Sequence, residues 1–353
     1  MRSILSVTFA AAALVAAAAF AEPAAADGRT PTLSALSRYT SFKDAVMPSA
    51  RAAGIPVQTW PFSPNTLTGE SVRIHLSQRL YVSSDTTVAQ QWADFFDSLV
   101  HGPELATLDA YLLAPSEIER VCGPSALACY RPNGNMLVAP AQDPQLNLSA
   151  ESVAAHEYGH HVAAHRLNDP WDAIDTGTKR WASSENVCLK TKKGQYHPGA
   201  EDEDHYFTNP GEGFAEAYRV LNERRLALAE APWEIVTKQF YPDNTALTLL
   251  QQDVTSPWTK NTTLARSGSV SKSAPSRAFV VSTPFDGRVA VTLRSSATAK
   301  FRLDILSPNS VSIGHASGKN GSARGTVCGE RALKVRVKRV SGAGAFRLAI
   351  SKP

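Results

Sequence analysis

The pattern of apolar residues changes near Pro257, and this change constrains the fold more than any other feature of the chain. Before it, segments such as 86–99 and 150–167 carry apolar residues at helical spacing. From Ser267 onward, apolar and polar residues alternate, which is typical of short strands with one buried face. The 353 residues also exceed one ordinary domain. The sequence therefore predicts an α+β domain followed by a small all-β sandwich domain.

The alternation in the C-terminal part recurs in four segments. Several short alternating strands separated by turns predict a β-sandwich, which we assign to residues 265–353, with the boundary at about residue 262. The residues expected to face its core are Val289, Val291, Leu293, Phe301, Leu303, Ile305, Leu333, Val335, Val337, Phe346, Leu348 and Ile350.

The preceding domain, assigned to residues 71–260, mixes strand and helix signals. Ser149 has the properties of a helix N-cap, with Glu151 in the first turn and Pro170 beyond the end of the apolar pattern. We expect a strand or hairpin at 71–83, strands at 108–113 and 136–138, and helices at 86–99, 150–167, 210–228 and 245–254.

Residues 1–26 have the composition of a signal peptide. A positive start at Arg2 precedes an apolar run from Ile4 to Phe20, and small-residue cleavage sites follow it. A transmembrane anchor is the alternative, but the run is short for one. We expect a secreted, extracellular protein with no membrane span in its mature form. Residues 27–70 form either an N-terminal lead or a pro-region, and the sequence leaves both open.

The four cysteines are an even number in a chain expected to be exported, which favours two disulfide bonds. Cys122 and Cys129 are close in sequence, so they are the preferred first pair, which leaves Cys188 with Cys328. Four cysteines allow three connectivities, so this pairing is a preference.

Overall charge and motif content exclude several classes of function. The net charge of +4 is small for this length and gives no indication of nucleic-acid binding. Phosphate-binding glycine loops and the serine-hydrolase G-x-S-x-G motif are absent from the sequence. The sequence does not indicate the oligomeric state.

The segment that carries chemistry is His156-Glu157-Tyr158-Gly159-His160. Histidines four residues apart on a helix lie on one face, close enough to share a zinc ion. Glu157 projects beside them and can take a proton from a zinc-bound water. This H-E-x-x-H pattern predicts a zinc hydrolase with Glu157 as general base.

A catalytic zinc needs a third protein ligand and one open position. His165 is a poor candidate because the extended three-histidine pattern is absent, and Asp172 and Asp175 lack the setting of aspartate-type zinc peptidases. Glu212 and Glu216, again four apart on a predicted helix, fit better. We expect Glu212 to bind zinc and Glu216 to accept a hydrogen bond from a ligating imidazole. The reverse assignment of the two carboxylates stays open.

H-E-x-x-H followed by a helix containing E-x-F-A-E-A resembles the gluzincin metallopeptidases, and most of all their lethal-factor-like branch. The resemblance covers residues 149–222 and implies a zincin-like catalytic domain with His156, His160 and Glu212 as zinc ligands and Glu157 as base.

In that branch a tyrosine shortly before the glutamate ligand stabilises the oxyanion. Tyr206 is the best match, although it lies about one residue nearer to Glu212 than the family pattern has it. His205 is the alternative donor.

The C-terminal segments 283–291, 328–337 and 342–346 resemble a bacterial pre-peptidase C-terminal domain. Such domains are β-sandwiches that accompany secreted peptidases and can be removed during maturation. The alternative is an unrelated sandwich that binds carbohydrate or protein.

Together these features predict a secreted zinc metalloendopeptidase that acts on protein or peptide substrates. Two other functions stay open: a secreted binding or adhesion protein with a structural zinc site, and a zinc hydrolase of one specific substrate.

Overall fold

The computed structural model describes residues 56–144, 148–200, 205–231 and 240–353. The predicted signal peptide, and the lead segment as far as residue 55, lie outside these ranges. In the part of the chain that is described, helix and strand are mixed, and no helix is both long and apolar enough to cross a membrane.

The N-terminal domain contains a five-stranded sheet with a parallel centre. Its strands stand in the order β1-β2-β3-β5-β4, in which β2, β3 and β5 are parallel and the outer strands β1 and β4 are antiparallel to their neighbours. The bounds are Thr59–Phe62 for β1, Arg73–Ser77 for β2, Asp109–Leu113 for β3, Cys129–Arg131 for β4 and Met136–Pro140 for β5.

Helices cover this sheet and extend the domain. They are α1 (Thr86–Ser98), α2 (Pro115–Cys122), α3 (Ala150–Ala164), α4 (Ala173–Thr176), α5 (Lys179–Ser184), α6 (Val187–Lys192), α7 (Pro210–Arg225) and α8 (Asn244–Thr255). A ribbon of β6 (Leu167–Asn168) and β7 (Trp171–Asp172) lies between α3 and α4.

Local sequence patterns account for most of these elements. Helix α1 buries Trp92 and Phe96 on its apolar face. The strand or hairpin expected at 71–83 ends at Ser77, because backbone hydrogen bonds from Leu80 and Tyr81 to the Ser77 carbonyl turn the chain there. Val82 is consequently exposed rather than part of a strand. Helix α2 carries too short a pattern to be identified from the sequence.

The C-terminal part consists of two antiparallel four-stranded sheets, and the chain as described mixes helices and strands, consistent with the expected α+β class. One sheet has the order β13-β10-β15-β8 and the other β12-β11-β14-β9. All twelve residues that the sequence predicts to face the core of the sandwich are buried. The bounds are β8 Thr262–Val270, β9 Ser276–Ser282, β10 Gly287–Arg294, β11 Lys300–Leu306, β12 Ser312–Gly318, β13 Gly321–Val327, β14 Ala332–Ser341 and β15 Gly344–Lys352.

Two disulfide bonds are present. Cys122 at the end of α2 is bonded to Cys129 in β4, seven residues later. Cys188 in α6 is bonded to Cys328, just beyond β13, across 140 residues. The second bond therefore joins the helical domain covalently to the sandwich.

A buried lysine reinforces this joint. Lys179 Nζ donates hydrogen bonds to the carbonyls of Asp169 (2.7 Å) and Asp286 (3.0 Å) and lies 4.5 Å from the centre of the Trp258 ring. Burial lowers the pKa of Lys179 to about 8. The Asp286 amide in turn donates a hydrogen bond to the Ser183 hydroxyl of α5 at 2.9 Å. The sandwich is thus attached through buried polar contacts as well as by the disulfide.

Candidate metal centre

Two helices, α3 and α7, bring the candidate ligands together. Each begins at a side-chain cap: Ser149 accepts a hydrogen bond from the Ser152 amide, and Asn209 accepts one from the Gly211 amide. The helices approach closely at Gly159, where an added Cβ would lie only 2.8 Å from the Ala215 Cα. The small residue permits the approach that places the two sets of side chains face to face.

The first turns of α7 are enclosed on two sides. A Cβ at Gly211 would collide with the Ile174 carbonyl of α4, and one at Gly213 would lie 2.7 Å from the Phe240 ring. These glycines let neighbouring backbone and ring pack directly against the helix, which fixes the position of Glu212 between them.

The nitrogen and oxygen donors of three side chains converge. His156 Nε2 lies 3.3 Å and His160 Nε2 lies 3.2 Å from the same oxygen, Glu212 Oε2. All three donor atoms lie within 4.8 Å of one another, and all three side chains are buried. One cluster thus contains two histidines of α3 and a carboxylate that lies 52 residues beyond His160 in the sequence.

This donor set fits zinc. With zinc–nitrogen and zinc–oxygen bonds of about 2.0–2.1 Å, neighbouring ligands of a tetrahedral ion are about 3.3 Å apart. The two nitrogen–oxygen separations have this value. Glu212 Oε1 is buried with no hydrogen-bond partner among the described residues, which leaves the carboxylate charge unbalanced unless a cation binds. Two imidazoles and one carboxylate are also ligands that zinc accepts.

Glu216 lies on the opposite side of His156. Its Oε2 is 3.1 Å from His156 Nδ1, and because a carboxylate only accepts, the proton of that contact belongs to Nδ1. The neutral ring then presents its lone pair at Nε2, toward Glu212. The geometry distinguishes the two carboxylates: Glu212 faces the Nε2 atoms of His156 and His160, whereas Glu216 faces Nδ1 of His156.

Arg219 holds Glu216 in place. Its Nε and Nη2 donate to the two oxygens of Glu216 at 2.5 and 3.0 Å, and its Nη1 donates to Glu223 at 2.6 Å. Burial alone would raise the pKa of Glu216, but the Arg219 charge and the hydrogen bonds from His156 and Arg219 outweigh it and lower that pKa to about 2. Glu216 is therefore ionised throughout the working pH range.

Tyr206 and His205 differ in position although they are adjacent in sequence. The Tyr206 hydroxyl donates to Glu212 Oε2 at 3.3 Å, so it lies beside the cluster of donor atoms. The ring of His205 packs against His197 with 4.0 Å between centroids. Glu157 follows His156 on α3, and its side chain is fully buried.

Other residues weighed as ligands lie outside the three-residue cluster. His165 lies with Nδ1 2.8 Å from the His161 carbonyl, and Asp172 and Asp175 belong to the β7–α4 segment. His161 contacts the Tyr130 hydroxyl and the Glu104 carbonyl, and burial lowers its pKa to about 4. His161 therefore acts as a neutral packing residue.

The sequence reading missed Arg219, the most informative residue around the site. Its spacing from Glu216 (three residues) and Glu223 (four residues) places all three on one face of α7. That spacing was visible in the sequence, but only burial distinguishes this group from an ordinary solvated helix face.

The chain was compared with family models, curated proteins and solved structures, and only solved structures match it. No family model matches it, and no curated protein matches it. It is similar to the solved pre-peptidase C-terminal domain of collagenase from Bacillus anthracis, with 13% identity over 26% of this chain and 89% of that chain and a TM-score of 0.22. It is also similar to a mitogen derived from Yersinia pseudotuberculosis, with 11% identity over 26% of this chain and 87% of that chain and a TM-score of 0.22.

Proposed function

We propose that this chain is a secreted zinc-dependent metalloendopeptidase of the gluzincin type that hydrolyses peptide bonds in proteins. The observation that carries the proposal is the convergence of His156 Nε2, His160 Nε2 and Glu212 Oε2 at 3.2–3.3 Å, with Glu157 next to the first ligand on the same helix.

Bound zinc would polarise the substrate carbonyl and make water a stronger acid. Held by His156, His160 and Glu212, the ion would lie on the face of α3 next to Glu157. The role of Glu157 is then to accept the proton of the attacking water and deliver it to the leaving amine.

The surrounding residues support this chemistry. Glu216, ionised and held by Arg219, fixes the tautomer and ring orientation of His156. The Tyr206 hydroxyl, which contacts the ligand oxygen of Glu212, is suitably placed to donate a hydrogen bond to charge that develops on the substrate carbonyl oxygen.

The number of protein ligands favours catalysis over a purely structural zinc. Structural zinc sites have four protein ligands, whereas catalytic sites have three and keep one position for water or substrate. Among the described residues, the cluster contains three ligands, His156, His160 and Glu212. A secreted binding protein with a structural zinc would need a fourth.

Two disulfide bonds are compatible with an extracellular location.

The test is cleavage of a broad set of proteins by the zinc-loaded mature chain and its Glu157→Gln variant, with bound zinc measured in both. We expect the variant to hold zinc and to cleave at least 10²-fold more slowly, since general acid–base catalysis contributes about 10²–10⁴-fold. Glu151→Gln, which changes an exposed glutamate in the first turn of the same helix, is the matched control and should cleave normally.

Other outcomes would point to other functions. Zinc bound by both proteins with no cleavage of any substrate would favour a binding protein. Cleavage of a single protein would indicate a zinc hydrolase of narrow specificity. Absence of bound zinc from the wild-type chain would reject the proposal.

A further inference from the structure

We propose a second divalent-cation site, formed by Glu70, Asp97 and His101. Each of these residues offers one donor atom, and the three atoms lie within 4.8 Å of one another. The ion we infer is a divalent first-row transition metal, for which Zn²⁺ serves as the probe. None of the three residues belongs to the α3–α7 cluster, so the proposal does not rest on the proposed function.

The three ligands come from two structural elements. Glu70 ends a tight turn between β1 and β2, which is closed by a hydrogen bond from the Thr66 amide to the Glu70 carbonyl at 2.8 Å. Asp97 lies in the last turn of α1, and His101 follows four residues later. His101 Nδ1 is 3.8 Å from Glu70 Oε2, and His101 Nε2 is 3.7 Å from Asp97 Oδ1. The imidazole thus stands between the two carboxylates.

The charges of this cluster are not balanced by the protein. The side chain of Asp97 is only 7% exposed and that of Glu70 is 33% exposed. Glu70 Oε2 is buried with no hydrogen-bond partner among the described residues. Within the described part of the chain, neither carboxylate has a lysine or arginine within 4.0 Å, and His101 is their shared ionic neighbour. Two carboxylates in one partly buried site favour a cation between them.

The donor chemistry determines the kind of cation. His101 Nδ1 lies 3.2 Å from the Gly102 carbonyl, which can only accept, so Nδ1 carries the proton and Nε2 offers a lone pair on the side of Asp97. The Thr68 hydroxyl donates to Asp97 Oδ1 and orients that carboxylate. One imidazole with two carboxylates suits zinc or manganese, whereas calcium prefers six to eight oxygen ligands.

The site is located where a bound ion would brace the domain. Val100, next to His101, is hydrogen-bonded to two side chains. Its amide donates to Asn222 Oδ1 at 2.7 Å, and its carbonyl accepts from the Tyr218 hydroxyl at 2.5 Å. Asn222 and Tyr218 belong to α7, the helix that carries Glu212. An ion that joins the β1–β2 turn to the end of α1 would therefore stabilise the side of the domain against which α7 is anchored.

The test counts zinc bound to the full chain. The protein is stripped with a chelator, dialysed to equilibrium against Zn²⁺ and analysed for metal content. We expect two tightly bound equivalents in the wild type and one in each of the Asp97→Asn and His101→Ala variants. His75→Ala is the matched control, because His75 pairs with a single carboxylate, Asp109, at 2.8 Å, and this variant should retain two equivalents.

A His156→Ala variant separates the two sites. It should keep one equivalent, and Asp97→Asn in the same background should remove it, together with the increase in Tm that Zn²⁺ gives in the single variant. If the wild type binds one equivalent that His156→Ala removes and Asp97→Asn does not, the second site does not exist and the first stands. If the one equivalent is lost in Asp97→Asn and kept in His156→Ala, the second site stands and the α3–α7 site falls.

Calcium provides the comparison for the class of ion. Dialysis against Ca²⁺ alone should leave Asp97→Asn and the wild type with equal metal content. An equivalent of Ca²⁺ that is lost in Asp97→Asn would overturn the assignment to a transition metal.

Discussion

Arg219 donates hydrogen bonds to both carboxylate oxygens of Glu216, and one of those oxygens, Oε2, also accepts a hydrogen bond from His156 Nδ1. The chain of contacts from a buried guanidinium to a candidate ligand imidazole runs through a single carboxylate. The orientation of the His156 ring therefore depends on Arg219, which acts on it through Glu216. Since all of these groups are buried, the arrangement is stable only when each is paired.

Replacing Arg219 should weaken both the fold and zinc binding. Arg219→Met leaves Glu216 and Glu223 buried without their cationic partner, and we expect a loss of about 3–5 kcal/mol in the free energy of unfolding. Zinc affinity should fall about 10–100-fold. Arg224→Met is the control on the same helix: its ion pair with Glu230 is partly exposed and should contribute about 1 kcal/mol or less. Urea unfolding and zinc titration measure both effects; equal losses in the two variants would contradict the assigned role.

Removing the Tyr206 hydroxyl should reduce turnover more than binding. Tyr206→Phe keeps the ring and loses the donor that contacts Glu212, so kcat should fall about 10²–10³-fold with little change in KM or bound zinc. His205→Ala should have a much smaller effect on kcat, because that ring packs against His197. Steady-state kinetics on a peptide substrate distinguish the two, and the reverse order would transfer the donor role to His205.

An alanine at Gly159 tests the close approach of α3 and α7. Intrinsic helix propensity predicts that Gly159→Ala stabilises the helix by about 1 kcal/mol. The added Cβ would instead lie 2.8 Å from the Ala215 Cα and push the helices apart, so we expect a net destabilisation of about 1–3 kcal/mol. Zinc affinity should fall as well, since the ligands come from both helices. An increase in Tm with unchanged zinc affinity would show that the helix spacing is not limiting.

The disulfide at the domain joint should contribute more stability than the local one. Removing Cys188–Cys328, which spans 140 residues, should lower the free energy of unfolding by about 2 kcal/mol more than removing Cys122–Cys129, which spans seven. The double serine variants are compared by urea denaturation. Equal losses would mean that the buried contacts of Lys179 already hold the sandwich in place without the covalent bond.

Glu185, near the joint, should make stability depend on pH. Burial raises the pKa of Glu185 from 4.5 to about 7, so between these values the folded chain binds more protons at this residue than the unfolded chain. Stability from this group is complete below pH 4.5 and declines as pH rises through 7. The difference in unfolding free energy between the wild type and Glu185→Gln should therefore change by about 2–3 kcal/mol across this window. The control is Glu119→Gln, at an exposed glutamate, whose unfolding free energy should change with pH as that of the wild type does. If the Glu185→Gln variant also follows the pH dependence of the wild type, the pKa of Glu185 is not raised.

Much of the architecture follows from patterns that are local in the sequence. Alternation of apolar residues predicts the sandwich strands because successive side chains of a strand point to opposite faces, and Val289, Val291 and Leu293 are indeed buried in β10. The joint between the domains was not predictable in the same way. Lys179 gives no local signal, since its partner Asp286 is brought to it only when the two domains meet.

The same distinction holds at the candidate metal centre. The sequence by itself determined that His156 and His160 share a face and that Glu157 lies beside them, because the helical repeat alone fixes that geometry. It left open which carboxylate of α7 faces the imidazoles. Only the tertiary structure directs Glu212 to both Nε2 atoms and Glu216 to Nδ1, since this depends on how closely α7 docks on α3, which is a property of packing and not of periodicity.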